Sequence, residues 1–106
     1  MRNRWPSVFD LLRWMAADND SPIRYGHLAM ILRWGQGVYA ARWNLSGMLT
    51  KVSEHCEEQG WPDLSAFVVG VEGQPGKGWP GWAKGLDPEA VRKEAHEHFR
   101  KEVFGK

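Results

Sequence analysis

The stretch Leu45-Ser-Gly-Met-Leu-Thr-Lys-Val-Ser-Glu-His-Cys56 has the apolar pattern of a helix that packs on a core. Its apolar residues recur at positions i, i+3, i+4, i+7 and i+11, which is the spacing of one buried face of an α-helix. They are Leu45, Met48, Leu49, Val52 and Cys56. Gly60 and Pro62 follow, and a glycine at C′ with a proline beyond it ends a helix. We therefore predict a helix between about residues 41 and 59 that packs against a core through this face.

A second helix is predicted just before it, over Tyr25-Gly-His-Leu-Ala-Met-Ile-Leu-Arg-Trp34. Leu28, Ile31 and Leu32 share one side of that helix, and Gly35-Gln-Gly37 is expected to end it. Two helices joined by a glycine-containing connection, over about residues 23–60, form a helix-turn-helix-like core.

The two ends of the chain are predicted to be helical as well. Ser7 is expected to be the N-cap of a helix over about residues 7–17, with Pro6 blocking an earlier start. Asp87 and Pro88 are typical of the N-cap and N1 positions of a helix over about 88–103. The apolar face of this last helix is formed by Val91, Ala95, Phe99 and Val103.

The apolar period changes between the third and the last helix. The segment Leu64-Ser-Ala-Phe-Val-Val-Gly-Val71 is short and rich in β-branched residues, which predicts a strand. The glycine- and proline-rich segment from Gly73 to Trp82 predicts a loop. Residues 64–82 thus form a strand and a Trp/Gly-rich loop. The expected fold is one α+β domain over residues 1–106, mostly helical, with four helices, a short β element and a winged-helix-like core.

Charge is distributed unevenly along the 106 residues, although the net charge is only +1. Residues 1–53 carry seven arginines and lysines against three aspartates, a net charge of +4. Residues 54–106 carry seven basic against ten acidic side chains, a net charge of −3. A basic half is typical of a surface that faces phosphates, and with so few charges chance gives the same distribution.

The helix-turn-helix pattern makes DNA the first candidate partner. The second helix of this motif lies in the major groove and presents polar and basic side chains at its N-terminal end. We predict that Arg42 contacts a guanine edge or a phosphate and that Asn44 pairs with adenine. The full set of predicted nucleic-acid contacts is Arg42, Asn44, Ser46, Lys51, Arg24, Arg33 and Tyr25. An ordinary helical hairpin with a polar first turn gives the same pattern.

Three features of the sequence resemble a known family. They are Tyr25-Gly-His-Leu-Ala29, Arg42 at the head of the next helix, and a Pro-x-Leu-x-x-x-Val-Val segment over residues 62–69. Together they resemble the C-terminal domain of the alkylguanine-DNA alkyltransferases and of their inactive alkyltransferase-like relatives. The resemblance covers roughly residues 23–78 and implies that Arg42 enters the duplex. The Pro-Cys-His-Arg active segment of that family is missing. The resemblance therefore implies DNA binding without alkyl transfer.

A protein partner is the alternative. The segment from Cys56 to Val69, followed by Gly73-Gln-Pro-Gly-Lys-Gly-Trp79, is similar to small uncharacterised bacterial and phage proteins. This similarity favours a mobile-element protein, such as a phage-encoded inhibitor of a bacterial defence complex. The interface would then be formed by the Trp-rich loop, with Trp79, Trp82 and Lys77, together with an acidic C-terminal helix. Exposed aromatic residues anchor protein interfaces.

Other classes of function find little support in the sequence. Gly73-x-x-Gly-Lys-Gly78 is too short for a phosphate-binding loop. His96 and His98 diverge on a helix, so they cannot share a metal ion. Ser65, Glu54, Glu57 and Glu58 are available to an acid, base or nucleophile set, but none has a diagnostic neighbour. We therefore expect no cofactor, no metal and no catalysis, and a small enzyme is the third alternative. We also expect no membrane span and no signal peptide. The single Cys56 fits a reducing compartment, and we expect a cytoplasmic location. The DNA sequence preference, the identity of a protein partner and the oligomeric state are not encoded in any recognisable motif.

Overall fold

The chain is mostly helical, as seen in a computed structural model that describes residues 5–36 and 45–105. The side chains of residues 33–36 lie outside this description. In chain order the elements are α1 (Trp5–Asp18), β1 (Ile23–Arg24), α2 (Tyr25–Gln36), α3 (Leu45–Gln59), a 3-10 helix (Leu64–Phe67), β2 (Val68–Val69), α4 (Pro80–Ala83) and α5 (Pro88–Phe104). The expected class, a small and mostly helical α+β fold, is confirmed at this level.

One hydrophobic core joins α1, α3, α5 and the 3-10 helix. The predicted face of α3 is confirmed, with Leu45, Met48, Val52 and Cys56 buried and Leu49 half-buried. Leu28 and Leu32 of α2 and Ala95 and Phe99 of α5 are buried in the same core. Burial of an aliphatic or aromatic side chain of this size contributes about 1.5–3 kcal/mol, so these faces hold the helices together.

Two helix boundaries differ from the sequence-based prediction. Helix α1 begins at Trp5, so Pro6 lies within its first turn and does not exclude an earlier start. A proline is tolerated there because the first N–H groups of a helix have no partner inside the helix. Helix α2 continues through Gly35 to Gln36, two residues beyond Trp34, the last residue of the predicted helix. At the other end of the chain, the predicted N-cap Asp87 and N1 residue Pro88 of α5 are confirmed.

The strand prediction over 64–71 is confirmed only at Val68–Val69. Residues Leu64–Phe67 form a 3-10 helix, and only Val68–Val69 are extended. The cause is local, because the Asp63 side chain accepts a hydrogen bond from the Ser65 backbone N–H and caps the turn. The short helix α4 was likewise not anticipated within the segment predicted as a loop.

A parallel pair of strands was also not anticipated. Ile23 and Arg24 of β1 pair with Val68 and Val69 of β2. This pairing places the start of α2 beside the end of the 3-10 helix. Arg24 and Tyr25 are therefore brought next to the segment that follows α3.

Candidate functional site

A pocket of about 300 Å³ lies between α3, β2 and the loop that leads into α4. Its apolar wall is formed by Leu49, Val68, Val69, Pro75, Trp79 and Pro80. Its polar lining is formed by Tyr25, Ser46, Thr50, Ser53 and Ser65, and the backbone of Gly70, Gly76 and Gly78 completes it. A mostly apolar concavity with a few convergent polar groups is the usual form of a binding site.

Ser53 and Ser65 line this pocket and form a hydrogen-bonded cluster with Asp63, which is not itself a lining residue. The Ser65 hydroxyl donates to Asp63 Oδ1 at 2.7 Å, and the Ser53 hydroxyl lies 3.0 Å from both carboxylate oxygens. The two hydroxyl oxygens are 2.7 Å apart. Ser53 is 6% exposed and Ser65 is 5% exposed, so both hydroxyls are held in a low-dielectric environment. We call Ser53, Asp63 and Ser65 the polar floor.

The turn after α3 brings this floor together. Gly60 adopts a left-handed conformation with φ of 72°, and the Trp61 N–H donates to the Cys56 carbonyl at 2.9 Å. This glycine cap reverses the chain, so Asp63 returns alongside Ser53 on the last turns of α3. The Asp63 carboxylate then caps the 3-10 helix and also accepts the Ser53 hydroxyl.

The loop wall of the pocket is fixed to the floor by Trp79. Its indole Nε1 donates to Asp63 Oδ2 at 3.2 Å, and the residue is 6% exposed. Trp82 packs edge-on against Trp79, with ring centroids 5.2 Å apart, and donates to the Gly76 carbonyl at 2.9 Å. Gly81 is required here because a Cβ atom at this position would lie 2.3 Å from the Trp79 ring. The two tryptophans therefore order the glycine-rich segment.

The residues predicted to contact DNA are partly brought together. Tyr25 and Ser46 both line the pocket, and the exposed Arg24 is adjacent to Tyr25. Lys51 is exposed on α3 and lies 3.6 Å from Glu54, an exposed ion pair that contributes little. Arg42, Asn44 and the side chain of Arg33 lie outside the described residues.

The residues predicted for a protein interface have unequal positions. Trp82 is 40% exposed and Lys77 is exposed, whereas Trp79 is buried and acts as a pocket wall. The expected acidic character of the C-terminal helix is slight. Helix α5 carries four glutamates and four arginines or lysines, so its formal charge is zero. Arg92 is buried, so the exposed side chains of the helix carry a net charge of −1.

A cluster of aromatic and histidine side chains lies outside the pocket lining and has a structural role. Its members are Trp5, Phe9, His55, Trp61, His98 and Phe99. Trp61 stacks on Phe9 with centroids 6.0 Å apart and meets Phe99 edge-on at 5.7 Å. Such aromatic pairs stabilise packing beyond the area they bury. No group of histidine, cysteine or acidic residues able to hold a metal ion occurs in the part of the chain that the structure describes.

Cys56 is buried and unsuited to nucleophilic chemistry. Burial raises the pKa of its thiol to about 11, and the nearby Asp63 carboxylate adds to the rise, while a backbone hydrogen bond with Leu64 opposes it. The thiolate is the reactive form of cysteine, so this thiol is inert near neutral pH.

The polar floor was not identified from the sequence. Asp63-Leu-Ser65 carries a local signal, because an aspartate two residues before a serine is typical of an N-cap or Asx turn. Ser53 carries no comparable signal, since its bond to Asp63 depends on the chain reversal at Gly60. The burial of Trp79 likewise depends on tertiary contacts.

The described residues form a small, mostly helical α+β fold with a walled, mostly apolar pocket. No family model, curated protein or solved structure matches it. Among the described residues, no helix is both long enough and apolar enough to cross a membrane.

Proposed function

We propose that the chain is a non-catalytic DNA-binding module with a winged-helix-like core, acting in the cytoplasm. One observation carries the proposal. Tyr25 from the start of α2 and Ser46 from the first turn of α3, both expected from the sequence to contact DNA, line the mouth of one pocket. We call the exposed residues Arg24, Tyr25, Ser46 and Thr50 the pocket face.

The charge around the pocket supports a polyanionic partner. The described residues that line it include no acidic side chain, and the Asp63 carboxylate of the polar floor is hydrogen-bonded to Ser53, Ser65 and Trp79. Arg24 and Lys77 are exposed, adjacent in sequence to lining residues, and have no ion-pair partner among the described side chains. Cations of this kind bind phosphates by releasing condensed counterions. Tyr25 is 41% exposed, which leaves its ring and hydroxyl available to a sugar or phosphate.

The pairing of β1 with β2 supports the same proposal. The Tyr-Gly-His-Leu-Ala segment begins directly after β1, and the Pro-x-Leu-x-x-x-Val-Val segment ends in β2. The two segments that carry the resemblance to the alkyltransferase C-terminal domain are therefore neighbours in space. In this proposal Arg42 enters the duplex, Asn44 pairs with adenine, and Arg24, Arg33 and Lys51 contact phosphates.

An anisotropy titration of a labelled random duplex tests the proposal. Binding at low salt that weakens steeply as salt is raised is expected. The variants Arg24→Ala and Arg42→Ala should each weaken binding, whereas Arg100→Ala should have a much smaller effect. Arg100 is the matched control because it is an exposed arginine on α5, and α5 contributes no residue to the pocket. The absence of binding at low salt would refute the proposal.

The second candidate is a protein-binding module, such as a phage-encoded inhibitor of a bacterial defence complex. The exposure of Trp82 favours it, because a half-exposed indole on the short helix α4, bonded to the Gly76 carbonyl next to the exposed Lys77, suits an interface anchor. Its test is capture of a host complex that Trp82→Ala abolishes. If the protein binds duplex only weakly, and the Arg24→Ala and Arg100→Ala variants bind it with equal affinity, the result favours this candidate over DNA binding.

A further inference from the structure

We infer that the pocket binds a small, neutral, planar aromatic molecule that donates a hydrogen bond to the serine hydroxyls of the polar floor, of the phenol or indole class. The inference goes beyond the proposed DNA binding and does not depend on it. It follows from counting the hydrogen atoms available at the floor.

The floor has too few hydrogens to donate to a ligand. Each serine hydroxyl has one hydrogen and two acceptor lone pairs, and a carboxylate only accepts. The Ser65 hydroxyl lies 2.7 Å from Asp63 and 2.7 Å from the Ser53 hydroxyl, and the Ser53 hydroxyl lies 3.0 Å from both Asp63 oxygens, so each hydroxyl hydrogen has an acceptor inside the cluster. The Trp79 indole N–H is also taken by Asp63. Every side-chain donor of the floor is thus used inside the protein.

The hydroxyl oxygens of Ser53 and Ser65 keep lone pairs that can accept a hydrogen bond from a ligand. Asp63 is also the acceptor for the Ser65 backbone N–H at 2.9 Å, so the carboxylate draws all nearby donors toward itself. In every arrangement of the two hydroxyl hydrogens, lone pairs on Ser53 and Ser65 remain unused. Both serines line the pocket, so a ligand meets acceptors there. These remaining lone pairs make a hydrogen-bond donor on the ligand the matching group.

The residues that form the walls of the pocket favour a ligand that is planar and mostly apolar. Trp79 and Tyr25 supply aromatic surfaces, and Pro75, Pro80 and Val69 supply apolar ones. A cavity of roughly 150 Å³ is enough for benzene, so a pocket of about 300 Å³ has room for one or two fused rings. A carboxylate ligand is disfavoured, because its oxygens would face the serine lone pairs with the Asp63 charge behind them.

Titration of the ¹⁵N-labelled protein with indole and with 1-methylindole tests the inference. The two probes have nearly the same shape, but only indole has an N–H group. We expect indole to shift the Trp79 indole and Ser65 backbone resonances in a saturable way. We expect 1-methylindole to bind at least about tenfold more weakly, because it leaves the serine acceptors unpaired. Phenol and anisole form a second pair with the same expected order.

A serine variant locates the contact. Ser53→Ala should weaken indole about fivefold to tenfold, the value of one neutral hydrogen bond. Ser7→Ala, an exposed serine of α1 outside the pocket, should leave the Kd unchanged. If Ser53→Ala does not fold, the comparison of the two probes on the wild-type protein still decides. Equal binding of indole and 1-methylindole, no saturable shift, or shifts away from Trp79 and Ser65 would each overturn the inference. No DNA is present in the titration, so its failure is separable from failure of the DNA proposal.

Discussion

The indole Nε1–H of Trp79 donates to Asp63 Oδ2 at 3.2 Å and so connects two residues sixteen positions apart in the chain. The same carboxylate accepts the Ser53 and Ser65 hydroxyls and the Ser65 backbone N–H. Asp63 therefore joins the end of α3, the 3-10 helix and the glycine-rich loop. The pocket keeps its shape because these three elements share one acceptor.

Asp63→Asn should lower the free energy of unfolding by about 2–3 kcal/mol. An asparagine amide presents N–H groups where one carboxylate oxygen now accepts, so a buried donor loses its partner. Urea unfolding of both proteins measures the change. Asp87→Asn is the matched control, because Asp87 is an exposed N-cap and asparagine caps helices as well as aspartate does. Equal stability changes in the two variants would show that the shared acceptor contributes nothing beyond capping.

Gly81→Ala should lower the free energy of unfolding by about 1–3 kcal/mol, because the new methyl group would lie 2.3 Å from the Trp79 ring. Alanine in place of glycine inside a helix normally stabilises it by about 1 kcal/mol, so the sign of the result separates the two effects. Thermal unfolding measures it. At Gly78 a Cβ atom meets nothing within 4 Å, so Gly78→Ala should be neutral or slightly stabilising. A more stable Gly81→Ala protein would contradict the packing of Trp79.

Stability should fall as the pH rises from about 9 to 11. Burial raises the pKa of the Cys56 thiol from 9.0 to about 11, so between these values the folded state keeps a proton that the unfolded state has lost. The stabilisation is fully present below pH 9 and is lost as the pH rises through the folded-state pKa. Its size is on the order of 1–3 kcal/mol.

Urea unfolding at a series of alkaline pH values checks this thiol contribution. Cys56→Ala is less stable at every pH, because a buried side chain is truncated, but it should lose this component of the alkaline slope. Parallel slopes in the wild-type and Cys56→Ala proteins would contradict the assignment.

Arg24→Ala should reduce the salt dependence of duplex binding. The slope of log K against log salt changes by about 0.9 for each phosphate contact on B-form DNA. Removal of one contact should therefore lower the magnitude of the slope by about one and weaken binding to all sequences equally. Anisotropy titrations at four or more salt concentrations give the slope. An unchanged slope would mean that Arg24 does not contact a phosphate.

The helices could be predicted from the sequence because their signals are local. The buried face from Leu45 to Cys56, the glycine cap at Gly60 and the N-cap at Asp87 each depend on residues within a few positions. The 3-10 helix could not, because Phe67, Val68 and Val69 favour a strand by propensity while the Asp63 cap determines the backbone. Propensity in β-rich segments is easily overridden by such context.

Most of the pocket could not be predicted from the sequence. Tyr25 and Ser46 were recognised as polar or aromatic residues at helix starts, but their common position depends on the pairing of β1 with β2. The Ser53–Asp63 bond and the burial of Trp79 are contacts between distant segments. The hydrophobic periodicity of the sequence does not indicate such contacts, because they form only after the helices have packed.

Binding of a DNA duplex to the pocket face can be tested residue by residue with a map of backbone amide chemical-shift changes. A ¹⁵N-labelled sample titrated with an unlabelled random duplex should show its largest shifts at Arg24, Tyr25, Ser46 and Thr50 and at the adjacent Lys51. The amides of α5 from Arg100 to Phe104 should remain nearly unchanged. Shifts concentrated on α5, or no shifts at low salt with duplex in excess, would contradict the account.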